Sequence, residues 1–214
     1  MSLTFDCAQH PERELGLEAA ASAVRRGALV VLPTDTVYGL GCDAFSHRGV
    51  AALLAAKGRG RDMPVPVLIG SPRTIDGLAH DVSESARELV QAFWPGALTV
   101  VVRAQPSLTW DLGDSSGTVA IRMPLHPVAI ELLRETGPLA VSSANRSGLT
   151  PAATVEDAID QLGDDVAVYL DGGPCADTLP STIVDVTGET PVVVREGAIS
   201  VELLRSVVPS TRTA

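Results

Sequence analysis

STIVDVTGETPVVVR, residues 181–195, holds two short apolar strands in succession, 182–186 and 192–195, separated only by a polar turn at Thr187, Gly188 and Glu189. Adjacent strands joined this way argue for a mixed sheet rather than a purely parallel one. Working outward, ALTVVVR (97–103) and TVAIRM (118–123) read as further strands, with shorter ones over 28–32, 66–69, 139–142 and 166–170. Helices are expected over 12–26, between Pro11 and Gly27, and from Ser46 to about Ala56, stopped by Gly58. Ser83 opens another that Trp94-Pro95-Gly96 ends, residues 126–136 carry a fourth, and Thr154-x-x-Asp157 caps a fifth to Leu162. A short helix at 200–207 precedes a polar tail. No linker splits the chain. The expected fold is α/β: one domain over 1–214, core about 12–207, with a twisted mixed β-sheet and flanking helices.

Composition narrows the function. Hydrophobic residues make up 45% of the 214 and aromatics 3%, so Val, Leu, Ile and Ala must build the core. The net charge of −10 argues against a general nucleic-acid binder and leaves RNA only a local basic patch. Cys7, Cys42 and Cys175 lie far apart and show no zinc spacing, which fits reduced thiols in a cytoplasmic protein. No leader-like N-terminus and no long apolar run appear, so no membrane contact is expected.

Polar clusters recur where strands end. Residues 28–43, ALVVLPTDTVYGLGCD, place Thr34, Asp35, Thr36 and Tyr38 directly after an apolar strand. KGRGRDMP (57–64) alternates Lys57, Arg59 and Arg61 with glycines that permit close backbone approach. Arg122 ends a strand, where burial is costly unless its planar fork finds an anion. Ser142, Ser143, Asn145 and Arg146 crowd before Gly148, and Ser181 and Arg195 lie in the last two strand segments. Each has a plainer reading: a solvated loop for 57–64, a structural ion pair for Arg122, turn chemistry for the hydroxyls. In open α/β sheets, however, ligands favour the crevice beyond strand ends. Neither a Walker A loop, a G-x-G-x-x-G fingerprint nor a G-x-S-x-G elbow is present, and His10, His47, His80 and His126 show no triad or metal spacing. What remains positions and neutralises phosphates, as phosphoryl or nucleotidyl transfer needs.

PTDTVYGLG, Lys57-x-Arg59, WPGALT (94–99), Arg122-x-Pro124-x-His126, Ser143-x-Asn145-x-Ser147-Gly148, STIVD (181–185) and Arg195-x-Gly197-x-Ile199 occur in this order. Together they resemble the YrdC-like family of threonylcarbamoyl-AMP synthases over about residues 12–200. The resemblance implies a concave basic cavity and a reaction of L-threonine, bicarbonate and ATP that gives threonylcarbamoyl-AMP and pyrophosphate. It implies Mg²⁺ bound mainly through ATP, and delivery of the adenylate to a transferase complex that modifies adenosine 37 of tRNA, directly or by diffusion. Residue by residue, it places Thr36, Arg122 and Ser181 at threonine, and Lys57, Arg59, Thr118, Ser143, Asn145 and Arg195 around ATP. Lys57 and Arg59 would carry catalysis, Arg122 would clamp the amino-acid carboxylate, and Tyr38 would wall the site. No protein metal site is implied, and the extra C-terminal domain of longer relatives is not expected. Arg61 is an additional cation without a matched role. The alternative is a double-stranded-RNA-binding module of the same fold, against which the net charge argues. For a third reading, the carbamoyl-adenylate-forming part of hydrogenase-maturation enzymes, this sequence lacks the acylphosphatase and zinc-finger segments of those longer chains.

Overall fold

The strands on either side of the Thr187–Glu189 turn pair antiparallel, Val192 facing Asp185 and Val193 facing Val184. The structure, a computed structural model, describes residues 1–175 and 179–214. In chain order it contains β1 (Leu3–Asp6), α1 (His10–Arg25), β2 (Val30–Leu32), β3 (Gly39–Asp43), α2 (His47–Lys57), β4 (Val67–Leu68), α3 (Ile75–Leu78), α4 (Glu84–Phe93) and β5 (Leu98–Arg103). Then follow β6 (Thr118–Arg122), α5 (Pro127–Thr136), β7 (Leu139–Ser143), α6 (Val155–Leu162), β8 (Val168–Asp171), β9 (Thr182–Asp185), β10 (Val192–Arg195), α7 (Val201–Val207) and β11 (Arg212–Thr213). The strands form one sheet in the order β1-β8-β2-β3-β7-β4-β6-β5-β9-β10-β11. It is mixed: β2/β3, β3/β7, β4/β7, β5/β6 and β9/β10 are antiparallel, and β1/β8, β2/β8, β4/β6, β5/β9 and β10/β11 parallel.

Side-chain alternation assigns the two faces. Val30, Leu32, Leu139, Val141, Val168 and Leu170 pack with α1 and α5 on one side. Val31, Leu40, Cys42, Ala140 and Tyr169 point to the other, into the larger core that α2, α4, α6 and α7 cover. The helix ends match their sequence signals. Ser46 Oγ accepts from Gly49 N at 3.1 Å, Ser83 Oγ from Ala86 N at 3.2 Å, and Thr154 and Asp157 form a reciprocal capping box. Gly58 closes α2 in the left-handed conformation, φ 61°.

Three strands escape the sequence reading. β3 is GLGCD, which lacks the branched residues of a strand signal. Its glycines are required by packing: a Cβ on Gly39 would stand 2.6 Å from Val141 Cγ1, and one on Gly41 3.2 Å from Val141 Cγ2. The neighbouring valine therefore fills the space a side chain would take. β1 is a four-residue edge strand, and β11 lies in the stretch read as a polar tail but pairs with β10.

In the β6-β5-β9 part of the sheet only one face enters the larger core. Val119 and Ile121 of β6, and Leu98, Val100 and Val102 of β5, point into it. Alternation then turns Thr118 and Arg122, and Thr99 of β5, to the opposite face. That face carries the polar residues described next.

Candidate active site

Arg122 is buried, 7% exposed, at the end of β6. Its Nη2 donates to Asp35 Oδ1 at 2.7 Å, its Nη1 to Thr36 Oγ1 at 2.9 Å and its Nε to Gly96 O at 2.9 Å. Burial pulls the guanidinium below its ordinary pKa and the Asp35 carboxylate pushes back. The structural ion-pair reading of Arg122 is therefore realised. Asp35 holds the fork in place, while two of its five N–H groups meet no acceptor among the described residues. The clamp expected from the sequence, two parallel hydrogen bonds to a carboxylate, would have to come from those two donors.

The Thr34–Thr36 turn is built for this. Thr34 Oγ1 donates to Val37 O at 2.6 Å, accepts from Thr36 N at 3.2 Å and lies 3.1 Å from Thr36 Oγ1. Asp35 Oδ1 also accepts from Leu125 N at 2.8 Å, tying the turn to the segment after β6. Tyr38 does not wall this site. It is fully buried in the larger core, its hydroxyl donating to Gly173 O at 2.7 Å and accepting from Gly172 N at 3.1 Å. An apolar ring whose one polar atom reaches a backbone partner is stable there.

Ser181 lies next to this group. Its Oγ is 2.8 Å from Thr99 Oγ1, and Thr99 faces Arg122 across the β5/β6 ladder. Arg195 Nη2 donates to Ser181 O at 2.7 Å and to Ser181 Oγ at 3.2 Å. Arg195 also lies close enough to lower the Arg122 pKa by like-charge repulsion. Thr99 is the residue the sequence reading missed. Only its place in WPGALT, one step out of phase with the core-facing Leu98 and Val100, signalled it. The turn after β10 leaves no slack: a Cβ on Gly197 would lie 2.1 Å from Pro180 O and 2.7 Å from Ser181 C. Gly197→Ala is expected to displace Ser181 and to lower stability by about 1–3 kcal/mol, as overpacking does. A urea midpoint equal to that of the parent chain would contradict this close approach.

Lys57, Arg59, Ser143 and Asn145 form an adjoining group. Gly39 faces Ser143 in the β3/β7 ladder, and Ala144 N donates to Tyr38 O at 2.8 Å, so the two groups share a backbone frame. Lys57 is buried at the last turn of α2. Its Nζ donates to Ser143 O at 2.5 Å, Asn145 O at 2.7 Å and Asn145 Oδ1 at 3.4 Å. Burial, then the neighbouring Arg59 charge, lowers its pKa to about 8. Asn145 Nδ2 donates to Arg146 O and Leu149 O at 3.0 and 2.8 Å, so the amide nitrogen holds the loop's own backbone while Oδ1 accepts from Lys57. Arg59 is held more loosely. Its Nη1 reaches Ser142 Oγ at 3.2 Å and its Nη2 Pro64 O at 3.4 Å, while Nε is buried without a partner. Ser143 Oγ makes no hydrogen bond among the described residues, leaving a free hydroxyl beside these cations.

Thr118 stands apart. It opens β6, its Oγ1 donating to Ser115 O at 2.7 Å, on the same face as Arg122. Four residue steps along the strand put the two about 13 Å apart, so a ligand of nucleotide length, not one contact, would bridge them. A cleft of about 330 Å³ lined by Arg73, Ile75, Val90 and Trp94, and one of about 320 Å³ along residues 104–117, lie outside the Arg122 and Lys57 groups.

This chain is thus a mixed α/β sheet protein with hydroxyls and cations gathered in two adjoining groups near strand ends. Its relatives make the class specific. The Sua5/YciO/YrdC family model, described as "Telomere recombination", matches residues 22–197, and the chain belongs to that family. A Mycobacterium tuberculosis protein provisionally named threonylcarbamoyl-AMP synthase is 61% identical over 207 residues, 97% of this chain and 95% of its own length. The threonylcarbamoyl-AMP synthase of Bacillus subtilis is 38% identical over 88% of this chain, which spans 55% of that relative. Among solved structures, Pyrococcus abyssi Sua5 complexed with L-threonine superposes with a TM-score of 0.93 at 31% identity. All of this chain is covered there, and 62% of the Sua5 chain. The Escherichia coli YciO structure matches with a TM-score of 0.84 at 26% identity, over 95% of this chain and 100% of its own.

Proposed function

We propose that this chain is an L-threonylcarbamoyladenylate synthase, a nucleotidyltransferase that makes threonylcarbamoyl-AMP and pyrophosphate from L-threonine, bicarbonate and ATP. The observation that carries the reading is the junction of two groups on one frame: a pre-held Arg122 with Thr36 and Ser181, and Lys57 with Arg59 and Ser143. Relatives named threonylcarbamoyl-AMP synthase and the Sua5 structure complexed with L-threonine support threonine as the amino acid, and ATP and bicarbonate are the partners this product requires.

In the proposed reaction the threonine amine and bicarbonate condense to an N-carboxy-threonine with loss of water. A carboxylate oxygen of that carbamate attacks the α-phosphorus of ATP, and the bond to pyrophosphate breaks. Arg122 offers its two free N–H groups to the amino-acid carboxylate, at an angle fixed by Asp35. Thr36 and Ser181 read the remaining polar groups of threonine. Arg59, Arg195 and the free Ser143 hydroxyl meet phosphate oxygens, and Thr118 marks the far end of the nucleotide's path. Lys57 and Asn145 hold the loop that presents Ser143. No general base is needed where positioning and charge stabilisation carry the rate. The described residues gather no set of three His, Cys, Asp or Glu side chains fit to hold a metal. An Mg²⁺ ion arriving on ATP would neutralise phosphate charge there. The lability of the carbamate in water calls for a closed, basic, concave site around these residues.

The product would pass to a transferase complex acting on adenosine 37 of tRNA, by contact or diffusion, in the cytoplasm. Among the described residues no helix is long and apolar enough to cross a membrane. The double-stranded-RNA reading gains no support. Of the cations that suggested it, Lys57 is buried against carbonyls and Arg61 is paired with carboxylates. Pyrophosphate release, assayed with each substrate omitted in turn, tests the proposal: release must require threonine, bicarbonate and ATP together. Arg59→Ala should lower kcat/KM for ATP by about 100-fold, the scale of losing one charge-stabilising donor. Its Tm should stay within about 2 °C, because only long hydrogen bonds are lost. Turnover within a few-fold of the parent chain would remove Arg59 from the site.

A further inference from the structure

The cation without a matched role, Arg61, does not face the Lys57 and Arg59 group. It is turned the other way, into the loop before β6. Its Nη1 and Nη2 donate to Asp111 Oδ2 and Oδ1 at 3.0 and 2.7 Å, a parallel fork, and its Nε lies 3.5 Å from Asp114 Oδ1. The backbones join at the same place: Asp114 N donates to Arg61 O, and Val65 N to Leu112 O, each at 2.8 Å. The approach is close enough to demand a glycine. Gly113 has φ +104°, and a Cβ on it would stand 2.8 Å from Arg61 O.

The loop that grips Arg61 is itself anchored. Trp110 stacks on Phe45 with ring centroids 5.6 Å apart, and His47 Nε2 is 2.7 Å from Thr109 O, both at the start of α2. At its other end Ser115 O accepts from Thr118 Oγ1 and from Thr118 N. One strap, residues 108–115, thus runs from the start of α2, across the segment after α2, to the first residue of β6. It connects Arg59 with Thr118, two residues matched to ATP that no direct contact links. Arg59 needs such support. Its backbone N is tied to Leu54 O at 2.9 Å, but Gly58 and Gly60 flank it, each with wide backbone freedom, and its side-chain hydrogen bonds are 3.2 and 3.4 Å long.

We propose that Arg61, clasped by Asp111 and Asp114, is a positioning residue that fixes the Arg59-bearing segment against the Thr118 strap and so sets the spacing of the nucleotide site. The pair is more than a third exposed at either end, and an isolated surface pair of this kind contributes little to stability. The parallel fork supplies direction instead.

The proposal rests on the synthase reading for its kinetic consequence but not for its structural one. Two readouts therefore separate them. The first is hydrogen exchange at the Val65 and Asp114 amides, whose hydrogens bridge the two segments, in nucleotide-free protein. The second is KM for ATP and for threonine, from pyrophosphate release. Arg61→Ala and Asp111→Asn should each speed both exchanges by about tenfold and raise KM for ATP by about tenfold. KM for threonine and Tm should stay at parent values. The exchanged pair Arg61→Asp/Asp111→Arg should recover most of both effects. Parent-like exchange and parent-like KM for ATP in Arg61→Ala would overturn the clasp. So would a raised KM for ATP in Arg61→Ala alone, with Asp111→Asn unaffected, since that pattern means direct phosphate contact. If the parent chain releases no pyrophosphate with threonine, the synthase reading fails, and the exchange result still decides the clasp.

Discussion

Arg122→Ala is expected to abolish threonine-dependent pyrophosphate release and to lower folding stability by about 3–5 kcal/mol, the range for breaking a buried ion pair from one side. The two effects have one origin. Arg122 and Asp35 side chains are 8% and 16% exposed, so removing the guanidinium strands a largely buried carboxylate with only Leu125 N as donor. The same removal frees Thr36 Oγ1 and Gly96 O, which Arg122 now orders. Arg122→Lys separates the contributions. It restores charge near Asp35 but lacks the planar fork, so much of the stability should return while activity stays at least about 100-fold down. Urea unfolding and pyrophosphate release on the same two variants check this. Full activity in Arg122→Lys would show that charge alone suffices, and the clamp would be wrong.

Lys57→Ala is expected to lower turnover by at least about 100-fold and to destabilise the chain as well. Its ammonium holds the carbonyls of Ser143 and Asn145 and the Asn145 side-chain oxygen. Each buried acceptor left unpaired costs about 1–3 kcal/mol. The loop then loses the geometry that presents Ser143 Oγ. A pH signature identifies the lysine. Its pKa is lowered to about 8, chiefly by burial, so the charge is lost as pH rises through 8, and activity should fall. The threonine amine deprotonates in the alkaline range too, but that change favours carbamate formation, so a falling limb points to the enzyme. Stability moves the other way. Between about 8 and the ordinary 10.5 the unfolded chain keeps a proton the folded chain has released, so this residue's contribution to stability rises with pH. Lys57→Met should lack both slopes. A flat activity profile from pH 7 to 10 in the parent chain would remove the charged lysine from the account.

Much of this architecture was legible because its signals are local. Ser46, Ser83 and Thr154 cap helices as their side chains dictate, and the Thr187–Glu189 turn forced an antiparallel pair into the sheet. The order of the polar motifs identified the family. What stayed hidden depends on partners distant in sequence. β3 carries no strand composition because Val141, a hundred residues on, occupies the space above Gly39. Tyr38 looked like a site residue beside Thr36, yet alternation turns it into the core, where Gly172 and Gly173 satisfy its hydroxyl. Arg122 could be read as a ligand clamp or as an ion pair, and only the approach of Asp35, distant in sequence, revealed the pair. Lys57 and Asn145 read as direct ATP contacts, but their polar atoms are turned onto the loop around Ser143.

The most direct test of the central claim is the fate of labelled bicarbonate. The purified chain is incubated with ATP, Mg²⁺, L-threonine and ¹³C-bicarbonate, and the products are read by mass spectrometry. The account predicts a threonylcarbamoyl adenylate that carries the label and appears in step with pyrophosphate. Pyrophosphate formed without a labelled adenylate, or a labelled adenylate that lacks threonine, would contradict it.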